Sequence, residues 1–76
     1  MKVYVINFEG EDFEPVICAD EKSAIIELKN LGLSKEEINK AFTEEGVWIP
    51  KGADYYRYKV DDCRICVYQE EVIKHS

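Results

Sequence analysis

The sequence predicts an α+β domain of element order ββααββ: one four-stranded antiparallel sheet, spatial order 2-1-4-3, with two helices packed on one face. Three observations carry this. Segments at both ends of the chain alternate apolar and polar residues with the two-residue period of a strand. Between them lie two stretches of helical period with clear start and stop signals. No repeat or Gly/Ser/Pro linker divides the 76 residues, so residues 1–76 are expected to form a single domain.

The first strand is expected over Lys2–Phe8. Val3 and Val5 share one face and Tyr4, Ile6 and Phe8 the other, so both faces are apolar, as in a central strand. After the turn Glu9-Gly10-Glu11-Asp12, a second strand is expected over Phe13–Cys18. Closing that hairpin with Phe8 opposite Phe13 sets Ile6 against Pro15, Tyr4 against Ile17 and Val3 against Cys18. Pro15 lacks a backbone N–H, which assigns the strand to a sheet edge.

Asp20 reads as the N-cap of a helix over Glu21–Leu31, whose apolar stripe is Ala24, Ile25, Leu28 and Leu31. Gly32 suits the left-handed position after it, with Leu33 placed for the accompanying apolar contact. Ser34 begins a second helix. Ser34 and Glu37 have capping-box spacing, Leu33 and Ile38 occupy staple positions, and Ile38, Ala41 and Phe42 form the buried face up to Gly46. Val47–Pro50 reads as a short extended segment. In it Trp48 is taken first as a core plug and second as an exposed interface anchor.

A two-residue turn at Asp61-Asp62 pairs Val60 with Cys63, Tyr58 with Ile65 and Tyr56 with Val67, giving one apolar face. The opposite face then carries Tyr55, Arg57, Lys59, Arg64, Cys66 and Tyr68. Strands one and four, the most apolar, take the centre of the sheet, and its second face is left partly open to water.

Sixteen acidic residues against ten basic ones leave a net charge of −6. Such a surface repels nucleic acid and anionic membranes and favours a protein partner with a basic surface. The N-terminal apolar run is too short for a signal peptide or a spanning helix, and three cysteines do not make a disulfide framework. The expectation is a cytoplasmic protein with reduced thiols.

Cys63-Arg64-Ile65-Cys66 matches CxxC, but in a strand residues three apart project to opposite faces, so the two thiols cannot share a metal or an unstrained disulfide. A zinc site also wants four ligands, and only Cys18 and His75 remain. His75, the only histidine, is next to last and is poorly placed as a catalytic base. No phosphate loop, Ser/His/Asp set or HExxH occurs. No cofactor or metal is therefore expected, and the chain reads as a non-enzyme.

The candidate partner-binding residues are carboxylates and tyrosines. Glu9, Glu11, Asp12 and Glu14 crowd the first hairpin, without the ligand spacing of a calcium loop. Glu44 and Glu45 load negative charge on the C-terminal turn of the second helix, against its dipole. Arg57, Lys59 and Arg64, with Tyr55 and Tyr68, form a basic-aromatic face, of which Tyr55, Arg57 and Tyr68 are taken as the partner contact; it suits a protein interface or self-pairing, and less well, given the net charge, single-stranded nucleic acid.

With Glu9, Glu11, Asp12, Glu14, Glu36, Glu37, Glu44 and Glu45 on so short a chain, the protein resembles the small acidic proteins of bacteriophages and other mobile elements, among them anti-CRISPR and similar anti-defence inhibitors. The resemblance implies a non-enzymatic inhibitor that occupies a basic, nucleic-acid-binding surface of a partner protein. The alternative is a self-associating module, a homodimer formed through a sheet face or edge. Behind it stands a small Cys-dependent redox or metal protein.

Overall fold

The computed structural model describes residues 1–10, 14–49 and 63–72. Its elements are β1 (Lys2–Glu9), β2 (Val16–Cys18), α1 (Glu21–Leu31), α2 (Lys35–Ala41), β3 (Val47–Ile49) and β4 (Cys63–Glu71). The sheet is antiparallel throughout, in the expected order β2-β1-β4-β3.

The helix signals act as the sequence predicts. Asp20 accepts a hydrogen bond from the Ser23 amide at 2.8 Å. Gly32, at φ 111°, donates to the Lys29 carbonyl, and Leu33 donates to that of Leu28 at 3.2 Å, a Schellman ending. At the start of α2 the capping box closes both ways: Glu37 N–H donates to Ser34 Oγ at 3.2 Å, and Ser34 N–H donates to Glu37 Oε1 at 2.8 Å. Leu33 and Ile38, the staple pair, are both buried.

One core forms between the helices and one sheet face. Ala24, Leu28 and Leu31 of α1 and Ile38 and Ala41 of α2 cluster with Ile6, Phe8, Ile65 and Val67. Tyr4 and Phe42 close one side, edge to face at 6.1 Å. β1 is central and buried on both faces, with Val3 and Val5 also inside.

Four expectations are corrected or sharpened. The β1–β2 register is one residue away from the hairpin expected: Tyr4 pairs with Cys18, Val5 with Ile17 and Ile6 with Val16. A one-residue slip exchanges the faces of a strand. Here it buries Cys18, and half-buries Val16, under α1, leaving Ile17 exposed. With α1 capped by Asp20, only two residues on, Cys18 is drawn toward the core. Pro15 precedes the strand rather than lying within it, and β2 is an edge as expected.

The third strand is Val47–Ile49, the segment read only as extended, and Val47 stands opposite Ile65 where Tyr58 was expected. Ile65 thus lies between Phe8 and Val47. The segment expected as the third strand, with Tyr56, Tyr58 and Val60, lies outside the described residues. Helix α2 stops at Ala41, capped by Phe42, instead of continuing toward Gly46. Trp48 is 59% exposed, so it is not a core plug. Its neighbours Val47 and Ile49 are buried on the helix-covered face, and the strand pleat turns Trp48 the other way.

Among the described residues no helix is long and apolar enough to cross a membrane. Unfolding in urea should show Leu28→Ala destabilised by about 2–5 kcal/mol, because Leu28 is wholly buried. Ser34→Ala should cost about 1 kcal/mol through loss of the cap.

Candidate functional site

Three of the expected site residues, Glu9, Glu44 and Glu45, meet at one that was not assigned to the site, Arg64. The β1–β4 register runs from Lys2↔Glu71 to Glu9↔Arg64, and so sets Arg64 beside the last residue of β1. Arg64 Nε donates to Glu9 Oε2 at 2.6 Å. Its Nη1 donates to two backbone carbonyls, Glu44 at 3.0 Å and Glu45 at 2.9 Å. One guanidinium thus ties β1, β4 and the turn after α2 together.

That turn has its own local causes. Thr43 Oγ1 donates to the Lys40 carbonyl at 2.6 Å, and Gly46 N–H donates to the Thr43 carbonyl at 3.2 Å. Gly46 sits at φ 71° with its Cα pressed on β4. A Cβ there would lie 2.8 Å from Cys66 Sγ and 2.9 Å from the Ile65 carbonyl oxygen. The negative charge of Glu44 and Glu45 therefore does not burden a helix terminus: both residues lie beyond α2, their carbonyls bonded by a cation. The Glu45 carboxylate lies 3.9 Å from Lys40 Nζ.

Between this turn and β4 is an open cleft of about 490 Å³, lined by Phe42, Glu44, Glu9, Arg64, Cys66 and Tyr68 among others. Tyr68 is 46% exposed on the sheet face away from the helices. Glu14 is exposed near the start of β2 and does not line the cleft. Glu11, Asp12, Tyr55 and Arg57 lie outside the described residues, as do Lys59 and His75.

The electrostatics follow from these contacts. The hydrogen bond from Arg64 holds the Glu9 carboxyl below the usual glutamate value, and the same bond raises Arg64. With Nε and Nη1 committed inside the protein, Arg64 is poorly placed to meet phosphate. The nucleic-acid reading of the basic-aromatic face then rests on Arg57 and Lys59.

The cysteines take the positions the strand period demands. Cys63 is buried on the helix-covered face, and Cys66, next to Arg64, is half-buried on the other. None of the three is in a disulfide. Burial pushes the Cys66 thiol up, opposed by Arg64 and reinforced by Glu9. Burial, with Glu27 and Asp20, does the same to Cys18. Both are shifted away from the thiolate a nucleophile or metal ligand needs. Among the described residues no three His, Cys, Asp or Glu side chains are grouped to hold a metal ion.

Two residues stayed outside the partner-binding set read from sequence: Arg64, placed only on the basic-aromatic face, and Trp48, whose exposure was the second of two readings. Arg64 was detectable in principle, since pairing Phe8 with Ile65 puts Glu9 opposite it. The exposure of Trp48 follows only once Val47–Ile49 is known to be a strand. The chain matches no protein-family model, no curated protein and no solved structure.

Gly46→Ala should destabilise the protein by more than the ~1–2 kcal/mol of a left-handed backbone alone, because the methyl group also strikes β4; the urea midpoint reads this out. The Glu9–Arg64 bond should give a pH-dependent gap between the wild type and Glu9→Gln. A lowered folded-state pKa contributes stability that is fully present above the ordinary value of 4.5. The gap should hold from neutral pH down to that value, then close as the pH falls through the lower folded-state one. Chemical denaturation across this range measures it, and a gap that widens on acidification would contradict the assignment.

Proposed function

We propose that this chain is a non-enzymatic binding protein that acts in the cytoplasm by occupying a basic surface of a partner protein, as a small phage-type inhibitor of the anti-CRISPR kind does. The supporting observation is the disposition of charge. A net charge of −6 is carried on a small domain in which Arg64 is bonded to the Glu9 carboxylate and to the carbonyls of Glu44 and Glu45. Meanwhile Glu14, Glu21, Glu36, Glu44 and Glu70 are all exposed. With Arg64 and Glu9 cancelling each other across their hydrogen bond, these exposed carboxylates carry the negative field that a basic surface would meet. The raised thiols of Cys18 and Cys66 weigh against Cys-dependent chemistry.

A second reading, self-association, is favoured by Ile17, 61% exposed on the edge strand β2. Sedimentation at high protein concentration separates the two, since a persistent monomer removes the second.

The test of the main reading is capture on the immobilised chain from its native host, with replacement of Glu11, Asp12 and Glu14 by Lys. The captured protein should be basic, should elute at high salt, and should bind the triple variant at least about tenfold more weakly. Unchanged affinity for the variant would eliminate the acidic hairpin as the contact.

A further inference from the structure

Among the described residues the sheet ends at β3, a three-residue strand whose central residue is the only tryptophan of the chain. Tryptophan is the residue most enriched among those that carry binding energy at protein interfaces. At 59% exposed, Trp48 contributes little to the core. At the same edge β3 runs beside α2. Glu36, Glu37, Lys40, Val47 and Trp48 line a shallow cleft of about 310 Å³.

The charges around that cleft define what fits it. Glu36 is exposed, and Glu37, which also accepts from the Ser34 amide, is half-buried. Lys40, the one cation in the lining among the described residues, lies 3.9 Å from the Glu45 carboxylate, which offsets its charge. The cross-strand neighbour of Trp48 is Arg64, whose Nε and Nη1 bond Glu9 and the turn carbonyls. What remains is an exposed tryptophan lining the same cleft as the Glu36 carboxylate.

Resting on the binding reading above, we propose that this edge is the contact point for an arginine side chain of the partner protein, its guanidinium stacked on Trp48 and paired with Glu36. A planar guanidinium stacks on an indole and matches a carboxylate with two parallel donors at once; a lysine ammonium does neither as well. A second copy of this chain is disfavoured as occupant, because it would bring another net charge of −6 against an acidic edge. An aliphatic occupant would leave the Glu36 carboxylate desolvated without a partner.

Because Trp48 is the only tryptophan, its emission reports the site directly. The experiment titrates the full chain with hexaarginine and with hexalysine, following tryptophan fluorescence. Calorimetry repeats the titration on the wild type, Trp48→Ala and Glu36→Gln. Hexaarginine should change the emission and bind more tightly than hexalysine. Its affinity should fall about tenfold in Trp48→Ala and about threefold in Glu36→Gln. The surface change Glu36→Gln keeps the test valid even if Trp48→Ala disturbs the edge strand. Hexaarginine binding that is equal in the wild type and both variants would overturn the site while leaving the wider acidic-surface reading standing. No hexaarginine binding would overturn the site outright, with the wider reading decided separately by the salt-sensitive capture. Emission that depends on protein concentration alone, with a dimer in sedimentation, would assign the edge to a second copy and equally overturn the proposal.

Discussion

The pairing of β1 with β4 is the constraint on which the other features depend. These strands, from opposite ends of the chain, match residue for residue from Lys2↔Glu71 to Glu9↔Arg64. Their helix-covered faces supply Ile6, Phe8, Ile65 and Val67 to the core. Each strand has one flank on the other and offers its second flank to a three-residue strand, β2 or β3. The helices between them need only cover a surface this pair has already defined. A contact so distant in sequence carries a large loop-closure cost, so its apolar burial must be cooperative with the packing of α1 and α2.

The same register determines where charge goes. Setting Glu9 opposite Arg64 places a guanidinium where it can reach both β1 and the turn carbonyls of Glu44 and Glu45. Gly46 then lets the chain cross close over β4 and enter β3. This surface cation thereby serves as a structural tie. The carboxylates that remain outside give the protein its external field, and Trp48 is presented at the edge of the resulting sheet.

Much of this was legible in the sequence wherever a signal was local. Asp20, Gly32, Ser34 and Glu37 each act through a side chain or backbone angle within a few residues, and α1 has the predicted bounds. The strand order was legible too, because the two most apolar strands, the first and the last, belong in the middle. The separation of Cys63 from Cys66 follows from the pleat alone. What was not legible depended on long-range choices. Val16, Ile17 and Cys18 are all apolar, so alternation cannot say which faces inward; the entry into α1 decides it. Val47–Ile49 is too short for its period to distinguish a strand from a loop, and its partner is β4, across a long stretch of chain. Arg64 looked like part of a basic face because its acidic partner comes from β1. Of the candidate site, the acids near Arg64 and the exposed Tyr68 were identified from sequence. The residue that organises them, and the exposed Trp48 beside Glu36, emerge only from the sheet.

The central claim is that the negative charge of the exposed carboxylates brings the protein to a basic partner. Its most direct test is the association rate of the chain with the captured partner, measured across ionic strength. The account predicts a rate that falls steeply as salt is raised, because long-range attraction between opposite charges is screened. A rate insensitive to salt would contradict it.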